Sequence, residues 1–321
     1  MISEPGTAEA ERPSLTRRAL CYAAIVSAVP YLVLKVLWVT GSRVGITDPQ
    51  FGDDGSLLVL NVLTLAMDAA AIALVLAFTY PWGQRVPAWL VLLPVFVGCG
   101  LLGPIVVGIP VAVVATALVD APPPQAALPL AGWVYPLVYG GFMLLGIFLV
   151  AAFWFYARSR WPQVFTARTP KLSGTEWSLT AVGSPLALTA AVLLLVDAFQ
   201  PSEVQSSAAA VAVVRTLFAL AAVVGVVGFY PYGGRRFAPP MLAGWFGASS
   251  LVAWGAWGVL TVLGGATVVA RADTMEVVGA LAQLLGGALL ALVLIRAQRR
   301  VTAREPEGAR RPASPGRAPI G

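Results

Sequence analysis

Eight long apolar segments constrain this chain more than any other feature of its sequence. Each reaches the ~20 residues that a helix needs to cross a hydrocarbon layer of ~30 Å. Of the 321 residues, 58% are hydrophobic and only 11% are charged, which is too little polar surface to enclose a water-soluble globule. We therefore predict an all-α, polytopic transmembrane helix bundle with spans at residues 19–40, 57–80, 88–118, 131–157, 177–199, 208–230, 239–264 and 275–296.

The third segment, residues 88–118, is longer than a straight span requires. It contains Pro94, Pro104 and Pro110, and an internal proline removes a backbone hydrogen bond and clashes with the preceding turn. We expect this segment either to kink or to break into a span and an interfacial piece.

The distribution of basic residues predicts how the helices are oriented. Alternate connections between the spans hold all of the 21 Lys and Arg residues except Lys35, Arg43, Arg215 and Arg271. Because basic residues accumulate in cytoplasmic loops, we predict cytoplasmic termini and a location in the cell membrane. The predicted partners are the lipid bilayer and its anionic headgroups, which basic loops attract. Nucleic acid is not predicted, since the basic residues do not cluster in one folded module.

A short motif near the end of the second span recurs near the end of the sixth. Tyr80-Pro81-Trp82-Gly83-Gln84-Arg85 is echoed by Tyr230-Pro231-Tyr232-Gly233-Gly234-Arg235, which predicts an internal duplication. Four helices per half is an even number, so both halves enter the membrane in the same direction, as a parallel 4+4 repeat. The predicted organisation is a disordered cytoplasmic arm (1–16), a first four-helix repeat (17–157), a cytoplasmic linker (158–176), a second repeat (177–296) and a basic disordered tail (297–321).

Polar side chains inside the predicted spans are the candidate functional residues. An ionisable group at the bilayer centre costs ~2.5–3.5 kcal/mol and needs a partner or a wet cavity. Side chains lean toward the N-terminus of their own helix, so the acid and the base on each of two neighbouring helix pairs should reach toward one another. A polar stripe at helical spacing adds two more residues. The candidate intramembrane polar site comprises Lys35, Asn61, Thr64, Asp68, Asp197 and Arg215.

Two functions are compatible with these residues. In the first, they bind or transport a small-molecule substrate, because internal repeats and intramembrane charges occur together in transporters. In the second, the protein is a non-catalytic scaffold, accessory subunit or resistance-type protein, and the charges only hold helices together. A hydrated cavity reaching Asp68 favours the first function, whereas a dry, direct contact between Lys35 and Asp68 favours the second.

The sequence offers little support for catalysis. It contains no histidine, which is the commonest general base and the commonest metal ligand. Neither a phosphate-binding glycine loop nor a zinc-binding spacing is present. We expect no enzymatic activity, no catalytic residues, no cofactor and no metal site.

Aromatic residues cluster near the predicted span ends, where amphipathic rings settle among lipid headgroups. We expect them to act as interfacial anchors rather than as a ligand platform. These residues are Trp133, Tyr135, Trp154, Tyr156, Trp161 and Trp177.

Three stretches carry a resemblance to a known group of proteins. They are the run from Pro30 to Trp38, the following Gly45-Ile46-Thr47-Asp48, and the run from Tyr80 to Trp89. Together they resemble uncharacterised multi-pass integral membrane proteins of high-GC actinobacteria over roughly residues 19–120. The resemblance implies the same membrane architecture and carries no activity that could be transferred.

Overall fold

The structure is a computed structural model that describes residues 14–48, 51, 56–118, 130–199, 205–230, 234–263 and 274–303. These residues form helices joined by turns, with two isolated bridges as their only β pairing. The described ranges contain nine α-helices: α1 Leu15–Val39, α2 Ser56–Thr79, α3 Ala88–Leu118, α4 Val134–Arg160, α5 Pro162–Thr166, α6 Gly174–Ala198, α7 Gln205–Val227, α8 Ala238–Leu263 and α9 Thr274–Ala303.

Eight of these helices, all except the short α5, are long and apolar enough to cross a membrane. The predicted all-α polytopic bundle is therefore confirmed. The predicted spans match the helices to within a few residues at most ends. The largest difference is at α9, which continues past the predicted end at residue 296 to Ala303. The remainder of the predicted tail, 304–321, and residues 1–13 of the predicted arm lie outside the described residues.

Helix α3 runs without interruption through all three of its prolines, so the predicted break into two pieces is wrong. Each proline removes one backbone hydrogen bond, but the helix is supported along its length by neighbours on several sides. It packs against α4 in its own half and against α7 and α8 in the other. At Gly100 the contact is so close that a Cβ atom would lie 2.1 Å from the carbonyl oxygen of Ser249.

The two halves of the bundle share one pattern of neighbouring helices. In the first half α1 packs against α2 and α4, and α3 packs against α4 and α2; in the second half α6 packs against α7 and α9, and α8 packs against α9 and α7. Each half also has its own buried apolar cluster. A parallel repeat would have this arrangement, although the duplication itself stays a prediction.

The predicted linker is ordered and contacts both halves, because α5 packs against α4 in the first half and against α8 and α9 in the second. It contains α5, and Arg168 forms an isolated bridge with Arg236. The Thr169 amide donates to the carbonyl of Arg235 at 2.9 Å. At the start of α6, Glu176 accepts from the Ser173 amide and completes a capping box.

The Glu176 carboxylate also pairs with Arg300 of α9, with Nη2 2.7 Å from Oε1. Arg300 further donates from Nη1 to the carbonyl of Lys171 at 2.7 Å. The ion pair therefore joins the end of the linker to the last turn of α9. The sequence did not predict this contact, because Arg300 was assigned to the tail.

The motif at Tyr80 forms a short 3-10 helix, Pro81–Gln84, that is held by α4. The carbonyl of Gly83 accepts from the Tyr156 hydroxyl at 2.8 Å and from Arg160 Nη1 at 3.0 Å. A Cβ atom at Gly83 would lie 1.7 Å from the carbonyl oxygen of Ala77, so only glycine fits. Residues 231–233 of the echoed motif lie outside the described residues.

Tyr156 is fully buried, so its predicted role as an interfacial anchor is wrong. The reason is its hydroxyl, which reaches the Gly83 carbonyl and draws the ring into the packed end of the first half. Trp133, Trp154 and Trp177 are exposed, as anchors at a lipid interface would be.

Candidate functional site

The first polar cluster is an ion pair between α1 and α2. Lys35 Nζ lies 2.7 Å from Asp68 Oδ2, and the two residues are 0% and 6% exposed. The ammonium also lies 4.0 Å from the centre of the Tyr31 ring. The lean of side chains along their helices predicted this contact, and the structure contains it. Both charges are therefore neutralised directly, without an intervening space.

The rest of the predicted polar stripe on α2 lies beside this pair. Asn61 is buried. The Thr64 hydroxyl donates to the carbonyl of Leu60 at 2.7 Å, which satisfies it within its own helix. Thr64 and Asn61 thus extend the polar face of α2 beside the ion pair. Both side chains are neutral, so they add no charge to this cluster.

The second cluster, which we call the Arg215 cluster, consists of Arg215 on α7, Trp254 on α8 and Gln283 on α9. Arg215 Nη2 donates to Gln283 Oε1 at 2.8 Å. The guanidinium carbon lies 4.7 Å from the centre of the Trp254 ring. Gln283 is itself held in place, because its Nε2 donates to the carbonyl of Gly279 at 3.3 Å.

Two N–H groups of the Arg215 cluster are buried and have no hydrogen-bond partner among the described residues. They are Nε of Arg215 and Nε1 of Trp254. A buried donor with no acceptor costs about 1–3 kcal/mol, and more for a charged group. The cluster therefore has donors and positive charge in excess of its acceptors.

The expected ion pair between Asp197 and Arg215 is not formed. Within the described ranges, ion pairs join Lys35 to Asp68 and Arg300 to Glu176, whereas Asp197 is exposed near the end of α6. The reason is the direction in which the residues of α7 face. The next residue, Thr216, faces α6 and donates to the carbonyl of Ala191 at 3.4 Å. Successive helical residues are about 100° apart, so Arg215 faces α8 and α9 instead.

Sequence reasoning missed Trp254 and Gln283 as members of the site. A glutamine inside an apolar span is itself a signal, because a membrane-buried arginine needs an acceptor and Gln283 supplies one from a neighbouring helix. The arrangement of helices that brings α9 to α7 is not readable from residue spacing, so the pairing could not be predicted.

The described residues show no group of three or more Cys, Asp or Glu side chains placed to hold a metal ion. Cys21 and Cys99 are buried free thiols. The two polar clusters therefore offer charged groups and hydrogen-bond donors.

Comparisons with known proteins were negative. No family model matches the chain, and neither a curated protein nor a solved structure matches it significantly. The function is therefore inferred from the site alone.

Proposed function

We propose that this multi-pass membrane protein binds a small anionic solute at the Arg215 cluster and carries it across the membrane without catalysis. The observation that supports the proposal is a half-buried arginine whose Nε is buried and which forms no ion pair with a carboxylate among the described residues. A small carboxylate or inorganic anion would accept from the unpartnered N–H groups of Arg215 and Trp254. Arginine binds such anions through two parallel N–H groups.

The two polar clusters then have different roles. Lys35 and Asp68 neutralise each other at 2.7 Å and leave nothing for a solute to recognise, so we assign them to holding α1 against α2. Among the described residues Arg215 has no carboxylate in direct contact, and only the more distant charge of Asp197 on α6 acts on it. A charge inside a membrane that lacks a direct partner is expensive, and an anionic solute would supply that partner.

The predicted architecture supports the same proposal. Two parallel four-helix halves would provide the repeated framework that transporters use, with both termini cytoplasmic in the cell membrane. The resemblance to actinobacterial multi-pass proteins agrees with this framework and adds no activity. Arg215 does not line either of the two cavities found among the described residues.

A second candidate function is a non-catalytic membrane scaffold, accessory subunit or resistance-type protein. The direct contact between Lys35 and Asp68 favours it, because that pair is structural by its geometry. Under this candidate the Arg215 cluster would also be structural, and Gln283 would be the only acceptor that Arg215 needs.

Thermal unfolding of the purified protein in detergent separates the two candidates. The probes are sodium chloride, phosphate, acetate, sulfate and succinate at equal ionic strength. A ligand that binds only the folded state at about 100 times its Kd stabilises that state by about 2.7 kcal/mol. We expect one of these anions to raise Tm. Uptake of that anion into proteoliposomes then tests transport.

The variants test where the anion binds. Arg215→Gln should lose the shift in Tm and the uptake, and Arg215→Lys should weaken both because lysine lacks the planar fork. The matched control replaces the other cluster, with Lys35→Met and Asp68→Leu together, and should keep the shift. If none of the anions raises Tm, or if Arg215→Gln responds as the unmodified protein does, the proposal fails and the scaffold is favoured.

A further inference from the structure

A second feature of the bundle, separate from the polar clusters, is an apolar cavity between the two halves. Its volume is about 170 Å³. It lies where α4 and α5 face α8, at the end of the bundle that carries the basic connections. Its lining is dominated by aromatic side chains, namely Phe153, Trp154, Trp161, Phe165, Trp245 and Phe246.

The size and lining of the cavity restrict its occupant. Pockets that enclose a drug-sized molecule measure about 300–1,000 Å³, so this one is too small for a bulky solute. Among the described residues that line it there is no carboxylate or basic side chain, and Gln298 is the only amide. A slender hydrocarbon chain matches both the volume and the chemistry.

A basic residue marks the edge of this cavity. The guanidinium carbon of Arg158 lies 5.6 Å from the centre of the Trp154 ring and 5.8 Å from that of Phe165, and both rings line the cavity. Arg158 is exposed. In the part of the chain that the structure describes, ring contacts are its only side-chain interactions. Its hydrogen-bonding groups are therefore open to a ligand.

We propose that an anionic phospholipid of the cytoplasmic leaflet inserts one acyl chain into this cavity while its phosphate binds Arg158. The apolar lining accepts the chain, and Arg158 at the edge complements the phosphate. Arg160 also lies against a lining ring, Trp161, at 5.0 Å, but it donates to the carbonyls of Gly83 and Val86. The cavity lies between membrane-spanning helices and beside α5, which belongs to the linker predicted at the cytoplasmic surface, so a bound phospholipid would have its chain and its phosphate at their usual depths. The inference does not depend on Arg215 or on the proposed solute.

Native mass spectrometry of the full-length protein in detergent tests this site. The probes are phosphatidylglycerol and phosphatidylcholine with identical long chains, together with a short-chain phosphatidylglycerol. One arginine near a membrane surface corresponds to about a fivefold preference for an anionic lipid. We expect long-chain phosphatidylglycerol to be retained about fivefold more than phosphatidylcholine, and short-chain phosphatidylglycerol to be lost.

Two variants separate the headgroup contact from the chain contact. Arg158→Gln should abolish the preference for phosphatidylglycerol over phosphatidylcholine. Ala238→Leu, which adds bulk to the cavity wall, should reduce retention of both long-chain lipids. Arg85→Gln is the matched control, because Arg85 is another exposed arginine of the basic connections that does not line the cavity.

Three results would overturn the proposal. They are equal retention of the two headgroups by the unmodified protein, an equal loss in Arg85→Gln and Arg158→Gln, and unchanged retention of long-chain lipids in Ala238→Leu. The second of these would show that the whole basic surface attracts anionic lipid, with no dedicated site.

Discussion

Breaking the Lys35–Asp68 pair from one side should be far more damaging than removing it completely. The pair is a buried ion pair, because its members are 0% and 6% exposed and its charged atoms are 2.7 Å apart. Removing one partner of a buried pair leaves the other charge uncompensated and costs about 3–5 kcal/mol. An exposed pair would be worth only about 0–1 kcal/mol.

We expect the double replacement to affect stability much less. Lys35→Met combined with Asp68→Leu removes both charges and substitutes apolar groups of similar length. Replacing a buried ion pair in this way is often neutral or stabilising. The contact of Lys35 with the Tyr31 ring, at 4.0 Å, contributes about 2 kcal/mol in such a desolvated setting. We therefore expect each single variant to lose about 3–5 kcal/mol and the double variant to lose less than either.

The measurement is a double-mutant cycle on the free energy of unfolding in mixed micelles, with SDS as denaturant. Lys35→Met, Asp68→Leu and the double variant are compared with the unmodified protein, and the coupling free energy is taken from the four values. Additive losses in the double variant would refute the structural role of the pair. A fully stable double variant that had lost anion uptake would also contradict our assignment, because it would make the pair functional.

Three further predictions concern the end of the bundle near the 3-10 helix and the linker. Tyr156→Phe removes the hydroxyl that bonds Gly83 and should lower the free energy of unfolding by about 0.5–1.5 kcal/mol, since Arg160 still donates to the same carbonyl. Gly83→Ala should prevent recovery of folded protein, because its Cβ would overlap a backbone carbonyl, whereas Gly140→Ala meets nothing within 4 Å and should be tolerated. Glu176→Gln should lower the unfolding temperature by weakening the bonds to Arg300, and Arg300→Gln should do the same; an unchanged melt in either variant would contradict this.

The helices were predictable because crossing a bilayer imposes a length that the sequence must satisfy. The ends of α3, at Ala88 and Leu118, coincide with the predicted ends because Pro87 and Asp120 bound its apolar run. The Lys35–Asp68 contact was predictable as well, since it joins neighbouring helices and depends only on the direction in which side chains lean. Local rules were sufficient in both cases.

Contacts that depend on helix rotation and on distant helices were not predictable. Arg215 was expected to meet Asp197 on the adjacent helix, but a turn of about 100° relative to Thr216 directs it to Gln283 on α9. Tyr156 was expected at the lipid interface, but it is buried, and its hydroxyl donates a hydrogen bond to the Gly83 carbonyl of the 3-10 helix. Residue spacing records neither the rotation of a helix nor which remote helix lies beside it.

Helix α3 has a mechanical consequence for the whole molecule. It contacts both α7 and α8, so most of the attachment between the two halves is concentrated on one helix. The close approach at Gly100 lets its backbone lie against α8 with no side chain between them. Any rocking of one half against the other would therefore pivot on α3, and a bulky side chain at Gly100 would fix the pivot or force the halves apart.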